Sequence, residues 1–143
     1  MASVIFHAHR QIVSKGSVKL FRSHREGFKD GEQLRDFIYV KDIEKVCFWL
    51  MENYKKIANG LYNLGTGKAR TFNDLVAATF AGMSLEKKIT YIDMPEDLRN
   101  TYQYFTQADM KKLREAGYTD DMYSLESAIG DYVRNYLLHS RGY

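Results

Sequence analysis

Between Gln33 and Val46 the sequence reads QLRDFIYVKDIEKV, with Arg35 and Asp36 set directly against the apolar run Phe37-Ile38-Tyr39-Val40 and Asp42 two residues beyond it. A guanidinium cannot be neutralised, and its planar fork of donors suits a carboxylate or a phosphate. If Phe37 and Tyr39 draw Arg35 toward a sheet, it needs an anion there and becomes a clamp for a bound phosphate; otherwise it is a surface charge at a strand end. Asp36 faces the opposite side of such a strand and is not the expected partner. Asp42 is expected to cap the helix that follows.

Other groups with chemical capacity lie far from this stretch. The histidines His7, His9, His24 and His139 form no i, i+4 pair around a carboxylate, so metal binding is not expected. His7 falls among the apolar positions of a first helix and His9 does not, which makes His7 either a satisfied core group or a contact to a polar ligand. In NTYQYFTQ, Tyr102 and Tyr104 precede a helix and either seal the core or stack on a base and bond a phosphate. GTGKART invites a phosphate-loop reading and fails it. The first loop glycine is replaced by Tyr62, the Ser/Thr position holds Ala69, and Arg70 stands where a G-x-G-x-x-G pattern needs its third glycine.

The elements that must position these residues follow from periodicity and stop signals. Residues 2–13 carry helical spacing through Val4, Ile5, Ala8 and Ile12 with no N-cap before them, and Lys15-Gly16 ends the helix. Ser17–Phe21 is a strand, and residues 22–33 form a loop with two glycines and six charges. Residues 35–40 are expected to be a strand leading into a helix that buries Ile43, Val46, Cys47, Leu50 and Met51. GLYNLGTG reads as a short buried strand and a turn, Thr71 with Asp74 as a capping box for a helix to about Phe80, and KITYIDM as a strand. Thr106 with Asp109 is expected to open a helix ending near Gly117. Ser124 opens the last, with Leu125, Ile129, Val133 and Tyr136 on one side. Strands separated by helices predict parallel pairing and an α/β class.

Composition bounds the rest. A chain of 143 residues, 45% hydrophobic and 27% charged, suits one folded region, so residues 1–143 are taken together. The net charge of +3 is too small to argue for nucleic acid, while anionic small molecules remain plausible partners. A single cysteine allows no internal disulfide and suits a reducing cytoplasm; no apolar run approaches the roughly 20 residues that span a bilayer.

Three blocks, RDFIYVKDIEKV, YNLGTGKARTFNDL and YQYFTQADMKKLREAGY, together resemble the C-terminal, substrate-binding part of extended short-chain dehydrogenase/reductase proteins that act on nucleotide sugars. The third block and the opening MASVIFH are similar to the ADP-glycero-manno-heptose 6-epimerases in particular. The resemblance implies an α/β Rossmann-like fold whose N-terminal, cofactor-binding half is missing here, so the fragment is expected to be inactive alone. For a full-length parent it implies an isomerase of the cytoplasm that inverts C6 of an ADP-heptose by transient oxidation. NADP would be held mainly by the missing half, the product would feed lipopolysaccharide core synthesis, and the parent would be a homo-oligomer. Residue by residue, the resemblance makes His7, Phe21, Arg22, Ser23, His24, Arg35 and Tyr102 substrate-binding, with Arg35 on the diphosphate, and places no catalytic, cofactor or metal residue in this chain. Another nucleotide-sugar epimerase or dehydratase, or a stand-alone nucleotide- or RNA-binding module, is the alternative; RNA binding would be told apart by its steep fall with salt.

Overall fold

The structure is a computed structural model, and it describes residues 3–139. Helix α1 (Val4–Lys15) starts from Ser3, whose Oγ accepts from the Phe6 amide at 3.2 Å, so the helix is capped where none was expected. Gly16 ends it in the left-handed conformation (φ 65°), donating to the Ile12 carbonyl. Ala8 and Ile12 are buried as the spacing predicts, but Val4 is exposed.

Strand β1 (Val18–Phe21) pairs in parallel with β4 (Ile89–Ile92), Val18 opposite Ile89 and Phe21 opposite Ile92. Parallel strands need a crossover, and the intervening chain supplies it. The second pairing is shorter: β2 (Leu34–Arg35) runs antiparallel to β3 (Arg70–Thr71). The strand expected over residues 35–40 therefore stops at Arg35. Asp36 turns away to bond a distant loop, and helix α2 (Val40–Asn53) begins at Val40, after Tyr39. GLYNLGTG likewise makes no strand.

Asp42 lies in the first turn of α2 and does not cap it. It is fully buried, and both carboxylate oxygens accept from the Tyr123 amide at 3.2 Å. Cys47 is exposed rather than core, and with Val40, Ile43, Phe48 and Met51 it forms an outward apolar face on α2; Val46 carries the inward packing.

Thr71 and Asp74 do form the capping box of α3 (Phe72–Gly82). After β4 come a short turn α4 (Glu96–Arg99) and α5 (Lys111–Glu115), which starts four residues later than an N-cap at Thr106 would place it. The side chain of Asp109 accepts from the Lys111 amide instead. Ser124 caps α6 (Leu125–Tyr132), which continues as a π-helical turn over Val133–Leu137. The wider turn keeps Leu125, Ile129 and Val133 in line with buried Leu137 and rotates Tyr136, expected on that face, toward solvent.

The main core joins α1, α3, α6 and the β1–β4 pair through Ile12, Val18, Leu75, Phe80, Ile129 and Val133. A satellite core packs Val46 against Met110, Leu113 and Tyr118. Asp131 connects α6 to the start of α2, accepting from Tyr39 Oη at 2.6 Å, Lys41 Nζ at 2.7 Å and Asn135 Nδ2 at 2.7 Å. Those bonds, that from Lys41 foremost, hold its carboxyl down at about 2.

Candidate functional site

Three of the seven residues singled out by the resemblance, Phe21, Arg35 and Tyr102, come together where β1, β2, α1 and α3 meet. A cleft of about 290 Å³ is walled by Val4, Lys19, Phe21, Gln33, Phe72 and Tyr102 among others. Phe21 comes from the last position of β1, and its ring meets Tyr102 edge-on at 6.1 Å. Arg35, at the end of β2, lies over Tyr102 at 5.3 Å and over Phe72 at 5.8 Å. A guanidinium stacked on two rings is fixed in orientation while most of its donors stay free. Only one is used, Nη1 to the Leu34 carbonyl at 2.8 Å, and no carboxylate pairs with Arg35 among the described residues. Burial pushes the Tyr102 phenol up, the Arg35 charge opposing, so at neutral pH it is a hydrogen-bond donor.

His7 sits one helical turn beyond Val4, on the same side of α1, and is exposed. The inward histidine is His9 instead: its Nε2 is buried without a partner among the described residues, and burial lowers its pKa. Periodicity misplaced the two because α1 is in contact with both the sheet and α3 and buries a broad arc.

Arg22, Ser23 and His24 form the start of the loop after β1 and stand beside the cleft rather than in its wall. The loop is folded onto Tyr104: the His24 amide donates to Tyr104 Oη at 3.0 Å, and the Arg25 guanidinium covers the same ring at 5.5 Å. The Ser23 amide donates to Asp30 at 2.8 Å, closing the loop on itself. Arg22 and His24 both approach Asp93, at 3.9 and 3.8 Å, distances that mark loose surface pairs. Sequence reasoning missed Gln33, Lys19 and Phe72 in the cleft. Gln33 had a usable signal, since it stands two residues before Arg35 and alternation places both on one side of a strand.

The glycine turn does bind an anion, and that anion is internal. Asp36 accepts from the amides of Thr66 (2.8 Å), Gly67 (2.9 Å) and Ala108 (3.0 Å) and from the Thr66 hydroxyl (2.5 Å). A phosphate has no room in the turn because a carboxylate already takes its amides. Gly65 is required by this close approach: a Cβ there would stand 2.5 Å from both Asp36 Oδ2 and the Ala108 methyl. Gly65→Ala is expected to cost about 2 kcal/mol, read as a lower urea midpoint at unchanged slope, in line with overpacked sites.

A larger cleft, about 450 Å³, opens on the other side of the turn, beside Lys68, Arg70 and Arg114. Its arginines are committed. Arg70 pairs with Glu126 at 2.6 Å and Asp74 at 3.1 Å, and Arg114 donates to the Tyr118 and Asp120 carbonyls. The smaller cleft instead borders Arg35, which pairs with no carboxylate among the described residues. Among the described residues there is no group of three metal-ligating side chains and no helix long and apolar enough to cross a membrane.

Known proteins resemble this chain along its length. The NAD dependent epimerase/dehydratase family matches residues 1–65. ADP-L-glycero-D-manno-heptose-6-epimerase of Fusobacterium nucleatum is 51% identical over 149 residues, covering 100% of this chain and 44% of that protein. The chain is a homologue of the ADP-heptose 6-epimerases. The crystal structure of the Helicobacter pylori ADP-L-glycero-D-manno-heptose-6-epimerase superposes with a TM-score of 0.72 at 30% identity, over 94% of this chain and 38% of that one. The chain thus spans less than half the length of the epimerases it matches. A dTDP-glucose 4,6-dehydratase of Bacillus anthracis in complex with NAD shares the fold alone, at 16% identity and a TM-score of 0.72 over 96% of this chain and 40% of that one. The expected α/β, Rossmann-like epimerase architecture is therefore the observed one.

Proposed function

We propose that this chain is the substrate-binding portion of an NADP-dependent ADP-glycero-manno-heptose 6-epimerase, with the seven residues named above around the ADP-sugar. The observation that carries the reading is Arg35, oriented by Phe72 and Tyr102 at the rim of a cleft and lacking an anionic partner. A diphosphate supplies the missing charge, and the Tyr102 hydroxyl adds a donor beside it. The relatives' name supports the sugar class.

NADP does not fit the residues at hand. The glycine turn that could cradle a dinucleotide phosphate is filled by Asp36, which supports a cofactor held mainly by a region outside this chain and an isolated chain that is inactive. The reading includes synthesis of lipopolysaccharide core precursors in the cytoplasm by an oligomeric enzyme. Calorimetric titration with ADP tests it: saturable binding is expected, and absence of heat with both ADP and an ADP-sugar would overturn it.

The outward face of α2 carries a second expectation. Val40 and Met51 are 64% and 68% exposed, and Phe48 59%. In an enzyme more than twice this length, a cofactor-binding half is the surface's proposed cover. The chain by itself is expected to self-associate at micromolar concentration in sedimentation experiments, and the double variant Phe48→Glu/Met51→Glu to sediment as a monomer; a wild-type monomer would count against an exposed docking face.

A further inference from the structure

Gln33 combines two properties that do not usually meet. It is 1% exposed, and its side-chain Nε2 finds no hydrogen-bond partner among the described residues. It also forms part of the cleft wall beside Lys19, Phe72 and Tyr102. A buried, unpaired amide costs free energy that a leucine of similar size would not, so its presence calls for a use.

Its backbone leaves little freedom to escape. The Gln33 carbonyl accepts from the Phe72 amide at 3.3 Å, and the next residue, Leu34, is held on both sides, donating to the Tyr104 carbonyl at 2.9 Å and accepting from the Thr106 amide at 3.2 Å. The side chain is thus fixed to the cleft wall, with only its terminal torsion soft. That torsion is broad and roughly two-fold, so a half-turn exchanges carbonyl and amide ends without repacking. Arg35 lies two residues along, stacked on the same Phe72 that lines the cleft with Gln33.

We propose that Gln33 is a further ligand-binding residue, its amide donating to a phosphate oxygen of the nucleotide diphosphate whose charge Arg35 meets. The assignment rests on the reading of this cleft as the nucleotide-sugar site. Lys19, in the same wall, adds a positive charge to the cleft. Binding then supplies the acceptor that the fold withholds, and Gln33 becomes a check on ligand geometry: a carboxylate at this position would repel the phosphate, and an aliphatic side chain would ignore it.

The probe is ADP, titrated into the chain and its variants. Gln33→Leu is expected to weaken ADP binding about tenfold, the scale of one hydrogen bond to a charged group, while leaving the unfolding midpoint unchanged or raised because the unpaired amide is gone. Gln33→Glu is expected to weaken binding further, and less so at high salt. In ¹H–¹⁵N spectra of the wild-type chain, the Gln33 side-chain amide resonances should move as ADP is added, a readout that does not require any variant to fold. Stationary Gln33 resonances with ADP bound, or unchanged affinity in Gln33→Leu while Arg35→Ala binds weakly, would overturn the role of Gln33 and leave the cleft reading standing. Failure of the wild-type chain to bind ADP would remove both.

Discussion

Asp36→Ala is expected to lower the unfolding free energy by about 3 kcal/mol, the largest stability effect of any single polar substitution in the chain, since hydrogen bonds to a charged group contribute roughly 1.5–3 kcal/mol each and here compete partly with water. One carboxylate organises three segments: the end of β2, the Thr66-Gly67 turn and the approach to α5 at Ala108. Removing it leaves three amides with no common acceptor. Asp36→Asn is expected to recover little, because the amide's NH₂ would face donors rather than meet them. The urea midpoint of both variants measures this, and a change below about 0.5 kcal/mol, the size of an ordinary surface substitution, would show the turn to be held by something else.

The same group sets an acid limit. Burial pushes the Asp36 carboxyl up, but the bonds from the Thr66 hydroxyl and from the Ala108, Thr66 and Gly67 amides together bring it below the usual carboxylate range. A depressed folded-state pKa means that the unfolded chain binds the proton more readily. The contribution of Asp36 is therefore full above its unfolded pKa of about 3.9 and is lost as pH falls through the lower folded value. The gap in unfolding free energy between wild type and Asp36→Ala should hold constant above about pH 5 and narrow progressively as pH falls below about 4.

Arg35→Ala carries the largest expected effect on binding. Truncating one partner of a desolvated charge pair commonly costs 2–5 kcal/mol, and the half-buried setting of Arg35 argues for the low end, about 2–3 kcal/mol, or roughly 30- to 150-fold in the ADP dissociation constant. Arg35→Lys should recover only part of this, since a point charge cannot bridge two phosphate oxygens or stack on Tyr102 as a plane does. The fold should tolerate either change: Arg35 bonds one carbonyl and two aromatic faces, contacts of modest energy at a partly exposed site. Calorimetry with thermal unfolding separates the two outcomes. Unchanged ADP affinity in a folded Arg35→Ala chain would take Arg35 out of the site.

Local signals with local causes were readable from the residues alone. Gly16 ends α1, Thr71 and Asp74 close their capping box, and Ser124 caps α6, each because a short polar or glycine residue satisfies backbone groups a few positions away. The α/β class followed from the alternation of strands and helices, and the separation of Arg35 from Asp36 followed from strand alternation. What failed were assignments whose answer lay across the fold. Asp42 has the residue type of a cap, but Tyr123, 81 positions later, offers a buried amide that decides its place. Phe37 to Val40 has strand propensity, but the pull of the Thr66 turn on Asp36 ends β2 first. Cys47 was expected in the core from helical spacing alone, and spacing cannot say how wide an arc of α2 is covered by its neighbours. The cleft belongs to the same class: Phe21, Gln33, Phe72 and Tyr102 come from four separate segments. Only long-range packing brings them into one cleft, because an unpaired buried amide or a free guanidinium is a property of its surroundings and not of its own residue.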